Sequence, residues 1–173
     1  AAEERARELT EGPVWLLGAG WASGGPSLES RTWGETEPVT TAAESAYRQA
    51  EIADPQEEIG LAEGDDTYAY KELQHLEALG LGDASALAQL LEDGELEPGG
   101  DLPVNVSGGS LGQGNLFEAN GLARLLECVE QLRDEAGERQ VDEAYVAVAQ
   151  SARAVPSTSA AVIVLANDEG AGG

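Results

Sequence analysis

Apolar residues recur along this chain with two alternating periods, one helical and one extended. Over residues 41–52, Ala43, Ala46, Tyr47 and Ala50 share one helical face, with Thr40 or Thr41 as its cap. Residues 67–79 read as a helix ended by Gly80, and 84–91 as another ended at Gly94. The longest periodic stretch, 116–136, sets Leu122, Leu125, Leu126, Val129 and Leu132 at core-facing spacing. Residues 1–9 read as a helix stopped by Gly12-Pro13. Short apolar, often β-branched runs at 14–18, 59–62, 104–106, 144–149 and 161–165 predict strands. Residues 23–39 and Pro98-Gly99-Gly100 read as loop and break, and 167–173 as a flexible tail. Strands interleaved with helices predict an α/β layered domain over residues 1–166, without internal repeats.

Charge changes the picture most. The 173 residues include 33 acidic groups against eight Arg and one Lys, for a formal net charge of −24. Phosphate neutralisation needs a basic face, so nucleic acid is excluded as a partner, and anionic membranes are excluded on the same ground. A hydrophobic content of 42% separates the chain from disordered acidic tails. Such a charge repels itself in a compact fold, and at ~1 M salt a Debye length of ~3 Å removes most of that repulsion. The expectation is a halophilic protein of haloarchaeal type. Thermal melts from about 0.1 to about 3 M KCl should show the midpoint climbing steeply, and a flat profile would contradict this reading. One cysteine rules out an internal disulfide framework. Without a signal-like start or an apolar run near 18 residues, the expected location is the cytoplasm. The chain opens in mid-helix, which suggests a piece of a longer protein.

Candidate chemistry concentrates at residues 102–120. A short apolar run ends in Ser107-Gly108-Gly109, further glycines follow at 112 and 114, and a long amphipathic helix comes next. Glycines let N–H groups approach a ligand, and the helix behind turns its positive end towards the loop. This is a strand–loop–helix arrangement able to hold an anion or a developing oxyanion. It is not a phosphate-binding P-loop: no Gly-Lys-Ser/Thr closes it, and Lys71 is the only lysine. A second glycine set, Gly18, Gly20 and Gly24, has the wrong spacing for a dinucleotide loop, and Gly25-Pro26 blocks an immediate helix.

Pro103-Val104-Asn105, Ser107-Gly108-Gly109, Gly114, Gly121, Glu127 and Gln131-Leu132-Arg133 together resemble the C-terminal half of thiolases, particularly the archaeal and sterol-carrier-type branch. Residues 62–81 look like that family's strand-to-helix turn, and 42–63 like the helix and strand before it. The resemblance covers roughly residues 1–166. It implies a mixed five-stranded sheet layered with helices, and a pseudo-symmetric N-terminal half or partner subunit packed against this one in an oligomer. It implies a coenzyme A thioester as substrate, with no covalently bound cofactor and no metal. Ser107, Gly108, Gly109 and Gly114 would be substrate-binding, and the catalytic family positions would be Asn115 and Asp65.

Those two positions depart from the family pattern. Thiolases carry His where this chain has Asn115, and His or Asn where it has Asp65. The second cysteine expected near the last strands is missing from residues 150–159, and the acyl-accepting cysteine belongs to the N-terminal half. An Asn115 amide can donate to an oxyanion but cannot shuttle a proton near neutral pH. Asp65 and Asp66 could form an acid/base pair, but Asp is also a preferred N-cap for a helix opening at Thr67. His75 in mid-helix and Cys128 beside the apolar stripe read as structural. Ser157, Thr158 or Ser159 could replace the missing cysteine, although no histidine stands nearby to activate a hydroxyl. Two functions follow: a thiolase-like subunit whose own catalytic groups have degenerated, or an active acetyl-CoA acyltransferase whose nucleophile lies in another half or chain.

Overall fold

The computed structural model describes residues 3–25, 27, 29, 33–34, 36–142, 144–153 and 158–168. Ser157 and the last five residues of the expected tail lie outside the described residues. The strands are β1 (Trp15–Ser23), β2 (Leu61–Glu63), β3 (Val146–Arg153) and β4 (Ser159–Ala166). The helices are α1 (Glu3–Leu9), α2 (Glu37–Ala50), α3 (Pro55–Glu58), α4 (Ala69–Ala78), α5 (Ala84–Asp93), α6 (Gly109–Gln113) and α7 (Asn120–Leu132). The sheet order is β1-β4-β3-β2, with β2 parallel to β3 and the other pairs antiparallel.

The sheet is therefore mixed, as expected, but it has four strands among the described residues, not five. The run at 104–106 makes only one parallel bridge, Ala62 to Val104. Ala62 N–H donates to the Pro103 carbonyl and Asn105 N–H to that of Ala62. Pro103 has no N–H to extend a ladder, and Asn105 turns to φ 49°, outside the extended region.

One face of the sheet is covered by α2. Pro38 opens that helix, so it begins at Glu37, before the threonines expected to cap it. Val39, Ala42, Ala43, Ala46, Tyr47 and Ala50 are buried against β1 and β4. The contact is close because β1 offers glycines: a Cβ at Gly18 would sit 2.1 Å from the Ala46 carbonyl oxygen, and one at Gly20 2.0 Å from that of Ala42. Both glycines lie inside a strand, so they serve helix packing. Asp83 caps α5 through the N–H groups of Ser85 and Ala86, and Gly94 ends it with φ 80°.

The other face carries α7, whose Cys128 and Leu132 join Leu61, Ala147, Ala149 and Leu165 in a second core cluster. Its apolar stripe is buried only in part: Leu132 is buried, and Leu125 and Val129 pack partly buried against that cluster. Arg124, Glu127, Cys128, Gln131 and Leu132 are buried, whereas Leu122 is 69% and Leu126 57% exposed. Phe117, in the short turn before α7, is 78% exposed. The helix thus hides polar side chains beside Cys128 and Leu132 and presents Leu122 and Leu126 outward. No helix among the described residues is long and apolar enough to cross a membrane.

Candidate active site

The parallel pair β2/β3 and the start of β4 bring their ends together at one edge of the sheet. There lies a cleft of about 750 Å³, with Asp65, Tyr68, Lys71, Asn115, Asn120, Ser151 and Ser159 among its walls. Its position beyond the carboxyl ends of β2 and β3 is where open α/β sheets place ligands.

The turn after β2 carries two buried carboxylates. Asp65 Oδ1 accepts from Thr67 Oγ1 at 2.6 Å and from Arg124 Nη2 at 3.3 Å. Its N–H donates to Gln150 Oε1 at 2.7 Å, and its carbonyl lies 2.9 Å from His75 Nδ1. The helix that follows starts at Ala69, so Asp65 stabilises the turn instead of capping the helix. Asp66 accepts from Ser110 N–H at 2.8 Å, from Leu111 N–H at 3.1 Å and from Arg124 Nη2 at 3.2 Å. Arg124 is itself buried, and Nη2 also donates to Ser110 Oγ at 3.0 Å.

The glycine loop therefore meets an anion, and that anion is its own neighbour. Ser107 N–H and hydroxyl donate to Glu63 at 3.0 and 2.7 Å, while the next N–H groups hold Asp66. A Cβ at Gly109 (φ 56°) would fall 2.1 Å from the Asp66 carboxylate, so only glycine admits it. Ser107, Gly109 and Gly114 line a separate pocket of about 20 Å³, and Ser107 also borders one of about 340 Å³. Gly108 caps the short α6 with φ 92°. The long helix α7 begins eleven residues after Gly109, beyond a separate short turn.

Asn115 and Asp65, far apart in sequence, line the same cleft. Asn115 Oδ1 accepts from Phe117 N–H at 2.7 Å and from Asn120 Nδ2 at 2.9 Å. With its oxygen fixed, the Asn115 amide NH₂ is left as the donating end, as an oxyanion donor requires. Thr158 donates to the Arg153 carbonyl at 3.1 Å, and Ser159 lies on the cleft wall.

Cys128 and His75 are withdrawn from the cleft. Cys128 is fully buried, and burial together with Glu63 and Glu127 pushes its thiol well above the ordinary range. Arg124 is engaged with the two aspartates rather than with that thiol. His75 is 1% exposed, and burial holds its imidazole below its usual range. Burial also lowers the Lys71 amine, with Asp65 acting in the opposite direction. Among the described residues no group of three or more His, Cys, Asp or Glu is placed to hold a metal.

Glu63, invisible as a site residue in the sequence, is completely buried, and desolvation raises it to about 7 against the hydrogen bonds from Ser107. The folded state then holds a proton that the unfolded chain has lost. Its contribution to stability falls as pH rises from about 4.5 to about 7. Glu63→Gln should gain on the parent across that interval by on the order of 2–3 kcal/mol in chemical denaturation. A constant difference between the two proteins from pH 4 to 8 would contradict this assignment.

The comparisons with known proteins agree with this architecture. The thiolase C-terminal domain-like model matches residues 22–167. The chain belongs to that family. It is 32% identical to an acetyl-CoA acetyltransferase of Methanothermobacter thermautotrophicus over 91% of its own length and 41% of the relative's. It is 41% identical to human sterol carrier protein 2 over 53% of the chain and 17% of that protein. The solved structure of the Ltp2-ChsH2(DUF35) aldolase superposes with a TM-score of 0.81 at 26% identity, covering 96% of this chain and 43% of that one. The thiolase-family domain therefore spans less than half of each relative.

Proposed function

We propose that this domain is the C-terminal half of a thiolase-superfamily protein acting on coenzyme A thioesters, and that its own residues do not perform Claisen thiolysis. The carrying observation is the cleft's inventory. Asn115 offers a neutral donor for a thioester or enolate oxygen, while the single cysteine and single histidine are buried elsewhere. Thiolysis needs a thiol nucleophile, a base for an α-proton and donors for the enolate oxygen, and the cleft walls of this half carry the donor but neither a thiol nor an imidazole. Exposed Leu122, Leu126 and Phe117 support a cover from an N-terminal half or a partner subunit, as does the part-length match to each relative. The charge of −24 supports a salt-rich cytoplasm as its setting. Calorimetric titration of the complete protein with acetyl-CoA in high salt tests the substrate class. Saturable binding is expected, and none would overturn the reading.

The likeness to an aldolase structure over nearly the whole chain favours a second reading, retro-aldol cleavage of a β-hydroxyacyl thioester. That reaction consumes no second thiol. It needs a base for the β-hydroxyl and a donor for the enolate oxygen, so replacing the family histidine and cysteine does not disable it.

A further inference from the structure

The wall of the cleft carries an amine, that of Lys71. Lys71 is the only lysine in a chain carrying 33 acidic residues. A lysine kept for solubility would stand in water, yet Lys71 is 2% exposed in the first turn of α4, with its side chain on the cleft wall. Its Nζ lies 5.9 Å from the centre of the Tyr70 ring.

We propose that Lys71 is the proton-carrying catalytic residue of this cleft, exchanging a proton with the β-hydroxyl and then the α-carbon of a β-hydroxyacyl thioester. The inference rests on the retro-aldol reading. The neutral amine takes the hydroxyl proton, and the O–H electron pair becomes the carbonyl bond of the departing aldehyde or ketone. The Cα–Cβ pair passes to the α-carbon and on to the thioester oxygen, where the Asn115 NH₂ stabilises the enolate. The ammonium then returns its proton to the α-carbon, giving the shortened acyl thioester. No water, oxidant or second thiol enters the balance.

The other polar groups of the cleft suit this task less. The Asp65 oxygen facing Thr67 already accepts from that residue and from Arg124. Asn115 holds no transferable proton. His75 is buried on the same helix with Nδ1 against the Asp65 carbonyl. Glu118 stands exposed at the cleft edge. The charged and titrating groups about the amine among the described residues include Asp65, His75, Arg153, Glu118 and the phenols of Tyr68 and Tyr70. Desolvation lowers the amine, which eases its giving up a proton, while Asp65 acts in the opposite direction.

The test compares the complete protein with its Lys71→Arg variant, which keeps the positive charge and removes the exchangeable proton. Both are assayed with 3-hydroxybutyryl-CoA for acetaldehyde release. The parent is also reductively methylated with ¹³C, and the Lys71 resonance is identified by its loss in the variant. Expected are a fall in kcat of at least about 10²-fold with KM changed little, and a Lys71 signal titrating below the exposed lysine range of about 10.4. Equal cleavage by both proteins would overturn the role of Lys71 and leave the retro-aldol reading standing. No cleavage by the parent would overturn that reading and this proposal with it.

Discussion

Replacing Arg124 with methionine should destabilise the domain by about 3–5 kcal/mol, because it strands two buried carboxylates without their cation. Arg124 Nη2 lies 3.3 Å from Asp65 and 3.2 Å from Asp66, and all three side chains are nearly inaccessible to solvent. Backbone N–H groups of Ser110 and Leu111 would still hold Asp66, which keeps the loss within that range. Adding Asp66→Asn should recover part of the loss by removing one unpaired charge. Urea denaturation in high salt reads both effects, and a drop below about 1 kcal/mol for Arg124→Met would show that the pair is not the brace described here.

Asn115→Ala should lower kcat on any thioester the complete protein turns over by about 10²–10³-fold, the usual cost of losing one oxyanion donor. KM should change little, since the donor acts on charge that develops during reaction. The same substitution frees Phe117 N–H and Asn120 Nδ2, both at an exposed turn, so water can replace the lost acceptor and the fold should persist. An unfolded Asn115→Ala protein by circular dichroism, or an unchanged kcat, would contradict the donor role. Asn115→His with Asp65→His should raise residual thiolysis, because it restores an imidazole and removes a carboxylate from the oxyanion's surroundings.

Much of the fold was legible because it obeys local rules. The α2 face of alanines and Tyr47, the Gly94 stop and the two β-branched C-terminal strands all agree between pattern and structure. The strand at 104–106 failed because one left-handed residue, Asn105, ends the extended conformation that its valines favour. The α7 stripe misled for a different reason. Periodicity identifies an apolar face but not what covers it, and here Leu125, Val129 and Leu132 meet the sheet-side cluster together with buried polar side chains while Leu122 and Leu126 look outward.

The site was legible in part. Asn115 and Asp65 could be placed only through the family pattern, and the structure brings both to one cleft. The glycine loop was read for its N–H groups, without the knowledge that Asp66, more than forty residues earlier, already fills them. Arg124 and Lys71 gave a weaker signal. In a chain with nine basic residues, a cation on a helix with a buried face is worth matching to the nearest acidic pair.

The account's central claim is that this half of the site stabilises an oxyanion without supplying a thiol or an imidazole. Its most direct test is acetyl-CoA release from acetoacetyl-CoA and free CoA, measured in high salt for the complete protein and its Asn115→Ala variant. The account predicts release near the uncatalysed rate from both proteins. Rapid release by the parent would contradict it, whatever the effect of Asn115→Ala, because the cleft would then support full thiolysis.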